Sequence, residues 1–273
     1  MRPGATVPDG LIQALIDALG PASVGVGDAI EARHQSDWSG APAVRPLALL
    51  RPTDTQGVAA ALRLCHAHRV PVVPQGGMTG LAGGAMPQAD AVALSLERMN
   101  TLEAADPAEA TLTLQAGVTL QAAQEAAAAA SFQLGVDLGA RGSCQIGGNL
   151  ATNAGGNGVL QFGMMREQVL GLEVVLADGT VLDMMRPMIK NNTGYDIKHG
   201  FVGSEGTLGI ITRAILRLHP AKRARVSTLV ALPDYAAAIR LLRLLQSTFP
   251  GALAAFELMW EDFFTTSLQW SQT

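Results

Sequence analysis

Two glycine-rich stretches without a charged side chain constrain this chain more than any other feature. The first, Val73-Pro74-Gln75-Gly76-Gly77-Met78-Thr79-Gly80-Leu81-Ala82-Gly83-Gly84, holds five glycines and follows an apolar run that reads as a strand. The second runs from Gly142 through Ser143, Cys144, Gln145, Ile146, Gly147, Gly148, Asn149, Leu150, Ala151, Thr152, Asn153, Ala154, Gly155, Gly156 and Asn157 to Gly158. Glycine permits positive φ and lets a ligand reach backbone N–H groups directly. The hydroxyls of Thr79, Ser143 and Thr152 and the amides of Gln75, Asn149 and Asn153 add hydrogen bonds without fixed charge. Two such loops in one chain suit a diphosphate held by N–H dipoles rather than by lysines. The bland alternative, that the glycines only make turns, is about even for one loop and weaker for two.

Other phosphate-binding patterns fit poorly. A Gly-x-x-x-x-Gly-Lys-Ser/Thr loop needs a lysine, and none lies between Met1 and Lys190. Neither loop gives Gly-x-Gly-x-x-Gly opening a helix. A formal net charge of -4 argues against a nucleic-acid partner, and aromatic residues at 4% leave no stacking platform for single strands. No apolar run approaches the roughly 20 residues that span a bilayer, and the N-terminus has no secretory-signal pattern. Cys65 and Cys144 make no disulfide framework, so a reducing cytosol is the plain reading.

With 273 residues, 48% of them hydrophobic, the chain can bury a substantial core. Residues 8–20 show helical spacing and close at Gly20. Residues 47–50 read as a strand, Thr53 or Asp54 as a cap for the helix that follows, and 70–74 and 91–96 as further strands, giving a small βαβ layer. After residue 100 come two strands around Asp106-Pro107, a helix over 119–131 that takes in the alanine run Ala126 to Ala130, a hairpin at Asp178-Gly179 and a strand ending near Pro220. From Val226 a strand, a helix and a strand read as one more βαβ unit, too small to stand alone. The expected fold is α+β. An N-terminal helical segment covers 1–45, and a cofactor domain covers 46–222, divided at about residue 100 into a small βαβ subdomain and a larger mixed-sheet one. The beginning of an incomplete substrate or cap domain occupies 223–273.

PQGGMTGLAGG, SLERMNTLEAADPAEATLTLQAGVTL, GSCQIGGNLATNAGG, LGLEVVLADGTVLDMM and KNNTGYDIKHGFVGSEGTLGIITRAILRLHP, in this order, resemble the FAD-linked dehydrogenases of D-2-hydroxy acids. These carry an FAD-binding domain of the p-cresol methylhydroxylase/vanillyl-alcohol oxidase type. The pattern is most similar to the D-2-hydroxyglutarate dehydrogenase-like group, with D-lactate and glycolate dehydrogenases as neighbours, and it covers about residues 38–260. The resemblance implies that Pro74, Gln75, Gly76, Gly77, Met78, Thr79 and Gly80 wrap the FAD pyrophosphate. Gly142, Ser143, Cys144, Gly147, Gly148 and Asn149 would line the second side. Thr152, Asn153, Ala154 and Gly155 would lie near the flavin and ribityl chain. Residues 203–211 would close over the cofactor, with Gly209, Ile210 and Ile211 at the adenine end. Glu205 either contacts the cofactor or takes hydrogen bonds from its own loop. Met78 stands where relatives of this type often carry Asn and other branches carry a flavin-linking His, so non-covalent FAD is implied. Cys144 reads as a small packed thiol.

The same resemblance implies hydride loss from the substrate to flavin N5, with the substrate work and a divalent metal assigned to a C-terminal domain. His34, His66, His68, His199 and His219 match no metal motif of that kind, and His66 and His68, two apart on a helix, face different ways. No catalytic residue and no metal ligand are assigned in this chain. The implied partners are a 2-hydroxy acid and an electron acceptor that the sequence leaves open; a homodimer is compatible with the sequence. The alternatives are a flavin-binding module without turnover, a reductase of the same fold acting on a nucleotide sugar, and a non-enzymatic interaction protein whose loops are plain turns.

Overall fold

The structure is a computed structural model that describes residue 8 and residues 10–270; residues 1–7 of the expected N-terminal segment, Asp9 within the helix expected over 8–20, and residues 271–273 lie outside the described residues. The chain opens with helix α1 (Leu11–Leu19), whose Leu11 and Leu15, one helical turn apart, are fully buried. Gly20 ends it at φ 80°. Strand β1 (Val24–Gly25) and strand β2 (Ala48–Leu50) follow. Helix α2 (Thr55–Ala67) begins where the Asp54 carboxylate accepts from the Gly57 amide at 2.8 Å, so Asp54 rather than Thr53 is the cap. Strands β3 (Val72–Gln75) and β4 (Val92–Ser95) complete a four-stranded sheet of order β1-β2-β4-β3. Strands β2, β4 and β3 run parallel, and β1 pairs antiparallel with β2. All four residues of β4 are buried, as a central parallel strand requires.

The second half is antiparallel. Strands β5 (Leu102–Asp106) and β6 (Thr111–Gln115) form the expected hairpin. Helix α3 (Leu120–Ala129) is capped by Thr119, which accepts from the Ala122 amide at 3.2 Å. Strand β7 (Phe132–Gln133) and short helices α4 (Ile146–Ala151), α5 (Val159–Phe162) and α6 (Met165–Gln168) lead into strands β8 (Val169–Val175) and β9 (Val181–Met184). The β8–β9 turn has Gly179 at φ 84° and rests on Ala59 and Arg63 of α2. Helix α7 (Lys198–Phe201), strand β10 (Ile210–Arg217) and strand β11 (His219–Pro220) follow. The larger sheet has the order β5-β6-β10-β8-β9, and β7 pairs with β11. One apolar cluster runs from Leu11 through Leu94, Leu114 and Ile146 to Leu216, so both sheets share a core.

Glu173 of β8 ties the two sheets together. Its carboxylate accepts from the hydroxyls of Thr55, at the start of α2, at 2.5 Å and of Thr212 at 2.8 Å. Arg213 lies 3.5 Å from the same carboxylate and makes a paired contact with Glu103 at 2.6 and 2.7 Å.

The C-terminal reading needs a correction. Helix α8 (Tyr235–Thr248) is present, capped by Asp234, but residues 226–233 and 252–260 are not strands, and helix α9 (Glu261–Trp270) follows. A strand needs a neighbour to take its N–H and C=O groups, and the sheets described above supply none here. The expected βαβ unit is therefore one helix flanked by chain without regular structure.

Replacing Glu173 by Ala leaves Thr55, Thr212 and Arg213 without their shared acceptor. The expected result is a loss of about 1–3 kcal/mol of stability, seen as a lower urea midpoint at unchanged slope; an unchanged midpoint would contradict the role given to this carboxylate.

Candidate cofactor site

The first glycine-rich loop leaves the carboxyl end of β3, where open parallel sheets commonly receive ligands. It lies against the second. A Cβ built on Gly77 would sit 2.0 Å from the Ser143 carbonyl oxygen and 2.9 Å from Cys144 Cα. One built on Gly76 would lie 3.6 Å from Gly148 Cα. The loops thus touch, backbone to backbone, only because position 77 has no side chain.

The third segment closes the cluster. The amides of Gly203 and Glu205 donate to the carbonyls of Leu150 and Ala151 at 3.0 and 2.8 Å, which joins it to α4. Gly206, at φ 77°, lies where a Cβ would be 2.3 Å from Pro74. Glu205 Oε2 lies beside Gly84, and no described residue donates to the Glu205 carboxylate, so hydrogen bonding within its own loop is not its role. Gly209 and Ile210 are buried where β10 begins, with Ile211 next to them in the strand.

The amides of Gly76, Gly77, Met78, Thr79 and Gly80 donate to no described residue, and neither does that of Gly148. Consecutive unpaired N–H groups form an anion-binding surface, and buried or half-buried donors need partners. A diphosphate fits this donor set. The side chains of Gln75, Asn149, Thr152 and Asn153 bond to protein. The Gln75 amide is buried and donates to the carbonyls of His34 and Ala85 at 3.0 and 3.2 Å, bridging the two ends of the loop. Its oxygen accepts from His34 Nδ1 at 2.9 Å, which fixes the proton on that nitrogen. Burial pushes the His34 imidazole below its usual range, outweighing the Gln75 hydrogen bond. The Asn149 amide donates to Cys144 Sγ at 3.5 Å, Thr152 Oγ1 to the Gly148 carbonyl at 2.9 Å, and Asn153 Oδ1 accepts from the Arg166 amide at 2.9 Å. The Arg166 guanidinium is itself held by the carbonyls of His199 and Val202. The surface that remains is mostly main chain, with Ala154 and Gly155 half-buried and Gly142 exposed.

Sequence reasoning missed three participants. His34 holds Gln75 across 41 positions, with no local signal. The Trp38 amide donates to the Gly80 carbonyl at 3.1 Å and anchors the loop from outside. Gln145 sits inside the second uncharged stretch, which was its only mark in the sequence.

A family model described as an FAD binding domain matches residues 46–185. The probable mitochondrial D-2-hydroxyglutarate dehydrogenase of Oryza sativa subsp. indica is 44% identical over 224 residues, which is 82% of this chain and 40% of the relative. The mitochondrial D-2-hydroxyglutarate dehydrogenase of Bos taurus is 45% identical over 212 residues, 77% of this chain and 39% of the relative. The chain thus spans about two-fifths of the length of these curated relatives. A solved structure of alkyldihydroxyacetonephosphate synthase superposes with a TM-score of 0.74 at 23% identity, covering 91% of this chain and 47% of that one, and so shares the fold. The cytosolic reading is overturned by the mitochondrial names of both relatives. Two free, buried cysteines do not by themselves name a compartment.

Gly77→Ala forces the two loops apart, and Gly80→Ala, with nothing within 4 Å of its Cβ, does not. The expected outcome is a loss of about 1–3 kcal/mol of stability and of tenfold or more in FAD affinity for the first variant only, read by melting and flavin fluorescence titration. Burial raises the Cys144 thiol and pushes Cys65 up to about 11, so at pH 8 neither is a ready thiolate. Iodoacetamide should label neither cysteine in the native protein and both after unfolding. With the FAD binding domain match covering more than half of its 273 residues, this chain belongs to the FAD binding domain family.

Proposed function

We propose that this chain is the FAD-binding part of an FAD-dependent dehydrogenase that oxidises a D-2-hydroxy acid, D-2-hydroxyglutarate first, with D-lactate and glycolate as the near alternatives. The reading is carried by one observation: a row of unpaired amides, from Gly76 to Gly80, on a main-chain surface where three uncharged or nearly uncharged segments meet. The family match and the names of the relatives supply the chemistry.

Bound FAD would supply a hydride acceptor at flavin N5. The chain's own part is to hold and orient. The amides of residues 76–80 take the diphosphate, with Pro74 and Gln75 fixing the loop that presents them. Gly142, Ser143, Cys144, Gly147, Gly148 and Asn149 form the second wall, and Thr152, Asn153, Ala154 and Gly155 continue it toward the ribityl chain. Glu205, Gly209, Ile210 and Ile211 close the adenine end. The attachment is non-covalent, because the thioether of Met78 gives the flavin no linking nitrogen. In this reading residues 46–222 are the cofactor unit and residues 223–273 start the substrate unit. In this reading the catalytic base, the divalent metal and the grip on the substrate carboxylate belong to a substrate unit rather than to residues 46–222. The electron acceptor and a homodimeric state are parts of the same reading.

A flavin-binding unit without turnover is the second reading. It is favoured by the placement of the histidines: His34, His68, His199 and His219 are engaged by Gln75, the Leu64 carbonyl, Asp196 and Gln168. The first test is colour. The purified chain, reconstituted with FAD, should show flavin absorbance bands and release its flavin on acid precipitation; a colourless protein defeats both readings. Anaerobic D-2-hydroxyglutarate should then bleach the flavin when the chain is part of a polypeptide of the relatives' length. Bleaching absent in both that polypeptide and the isolated chain would leave only the second reading.

A further inference from the structure

We infer that Gln145 is a cofactor-contacting residue, whose side-chain amide bonds the ribityl or ring end of the flavin where the two glycine loops cross. This rests on the flavin reading above and names a contact within it. Gln145 is 9% exposed, and its Oε1 is buried without a hydrogen-bond partner among the described residues. It lies against the first loop: a Cβ built on Gly76 would be 3.7 Å from this oxygen and 3.7 Å from the unpaired amide nitrogen of Gly148.

The backbone of Gln145 is locked. It bridges to Thr119, its carbonyl accepts from the Asn149 amide at 2.9 Å, and the next amide, of Ile146, donates to the Val118 carbonyl at 2.9 Å. The backbone is thus fixed at the crossing, and the side chain leaves its Oε1 buried there. A buried amide oxygen without a described partner is a group awaiting one. Its other neighbours in the second stretch, Asn149, Thr152 and Asn153, all have theirs.

The chemistry of the orphan oxygen says which part of the ligand it meets. An amide oxygen only accepts. Diphosphate oxygens also only accept at neutral pH, so they do not satisfy it. Ribityl and ribose hydroxyls, the adenine amine and the N–H of the flavin ring do donate, and of these the ribityl chain and ring lie on the side that residues 152–155 continue in the reading above. The row of free amides at residues 76–80 provides donors for the diphosphate, and Gln145 provides the acceptor beside it. The crossing of the loops is thus the point at which the bound dinucleotide changes from acceptor to donor.

Gln145→Met keeps the length of the side chain and removes both polar atoms. The full chain and this variant are titrated with FAD by flavin fluorescence, and each is melted without ligand. The expected result is an affinity reduced roughly tenfold with the ligand-free melting temperature unchanged. Unchanged affinity overturns the inference while the flavin reading stands; a wild-type chain that binds no FAD sinks both. Affinity and ligand-free stability falling together would mark Gln145 as a packing residue and also overturn it. Should the variant fail to fold, nuclear magnetic resonance of the wild-type protein decides. The Gln145 side-chain NH2 signals should shift on adding FAD, and signals that stay in place while backbone amides of residues 76–80 move would refute the contact.

Discussion

Contact between two stretches of bare backbone, at Gly77 and Ser143, is the constraint on which the site depends. Any side chain at position 77 would occupy the space of the Ser143 carbonyl. The contact brings the end of a parallel sheet against the start of α4, and α4 in turn offers the carbonyls of Leu150 and Ala151 to the third segment. With Gly206 seated on Pro74, the three segments enclose one another in a ring of contacts. Such a surface has few side chains of its own, so what it presents outward is N–H.

The polar side chains around this surface work from behind it. Gln75, His34 and the Ala85 carbonyl form a buried clasp across the base of the first loop. Asn149, Thr152 and Asn153 each tie a turn of the second. These bonds hold the main chain in a shape that leaves its own amides unpaired, which is the preorganisation that a ligand site on loops requires. The link through Glu173 has a similar logic at larger scale. It fixes the start of α2 to the antiparallel sheet.

Much of this was legible in the sequence, for local reasons. Asp54 before an amphipathic run, and Asp178-Gly179 between alternating residues, are signals contained within a few positions. The neutral glycine stretches announced a backbone site. Long-range pairing was not legible: β1 has two residues and owes its existence to Leu49 and Leu50 across from it. The expectation of side chains reaching the ligand also went further than the sequence allowed, since a glutamine or asparagine in a glycine loop can as well turn inward. Gln75 does so because His34 waits there, 41 residues earlier in the chain. The reading of strands after Val226 failed for a related reason: β-branched and apolar residues favour a strand only where a neighbouring strand exists.

Each of the three converging segments holds one non-glycine residue in the left-handed region: Met78 at φ 56°, Asn153 at φ 48° and Glu205 at φ 51°. Asn tolerates this conformation, whereas Met and Glu give up roughly 1–2 kcal/mol apiece to adopt it. Strain on this scale is a sizeable part of the margin by which a domain stays folded. A ligand that engages the surrounding amides offsets it, and saturation a hundredfold above the dissociation constant adds about 2.7 kcal/mol. The stability of the fold and the occupancy of its cofactor site are thereby coupled.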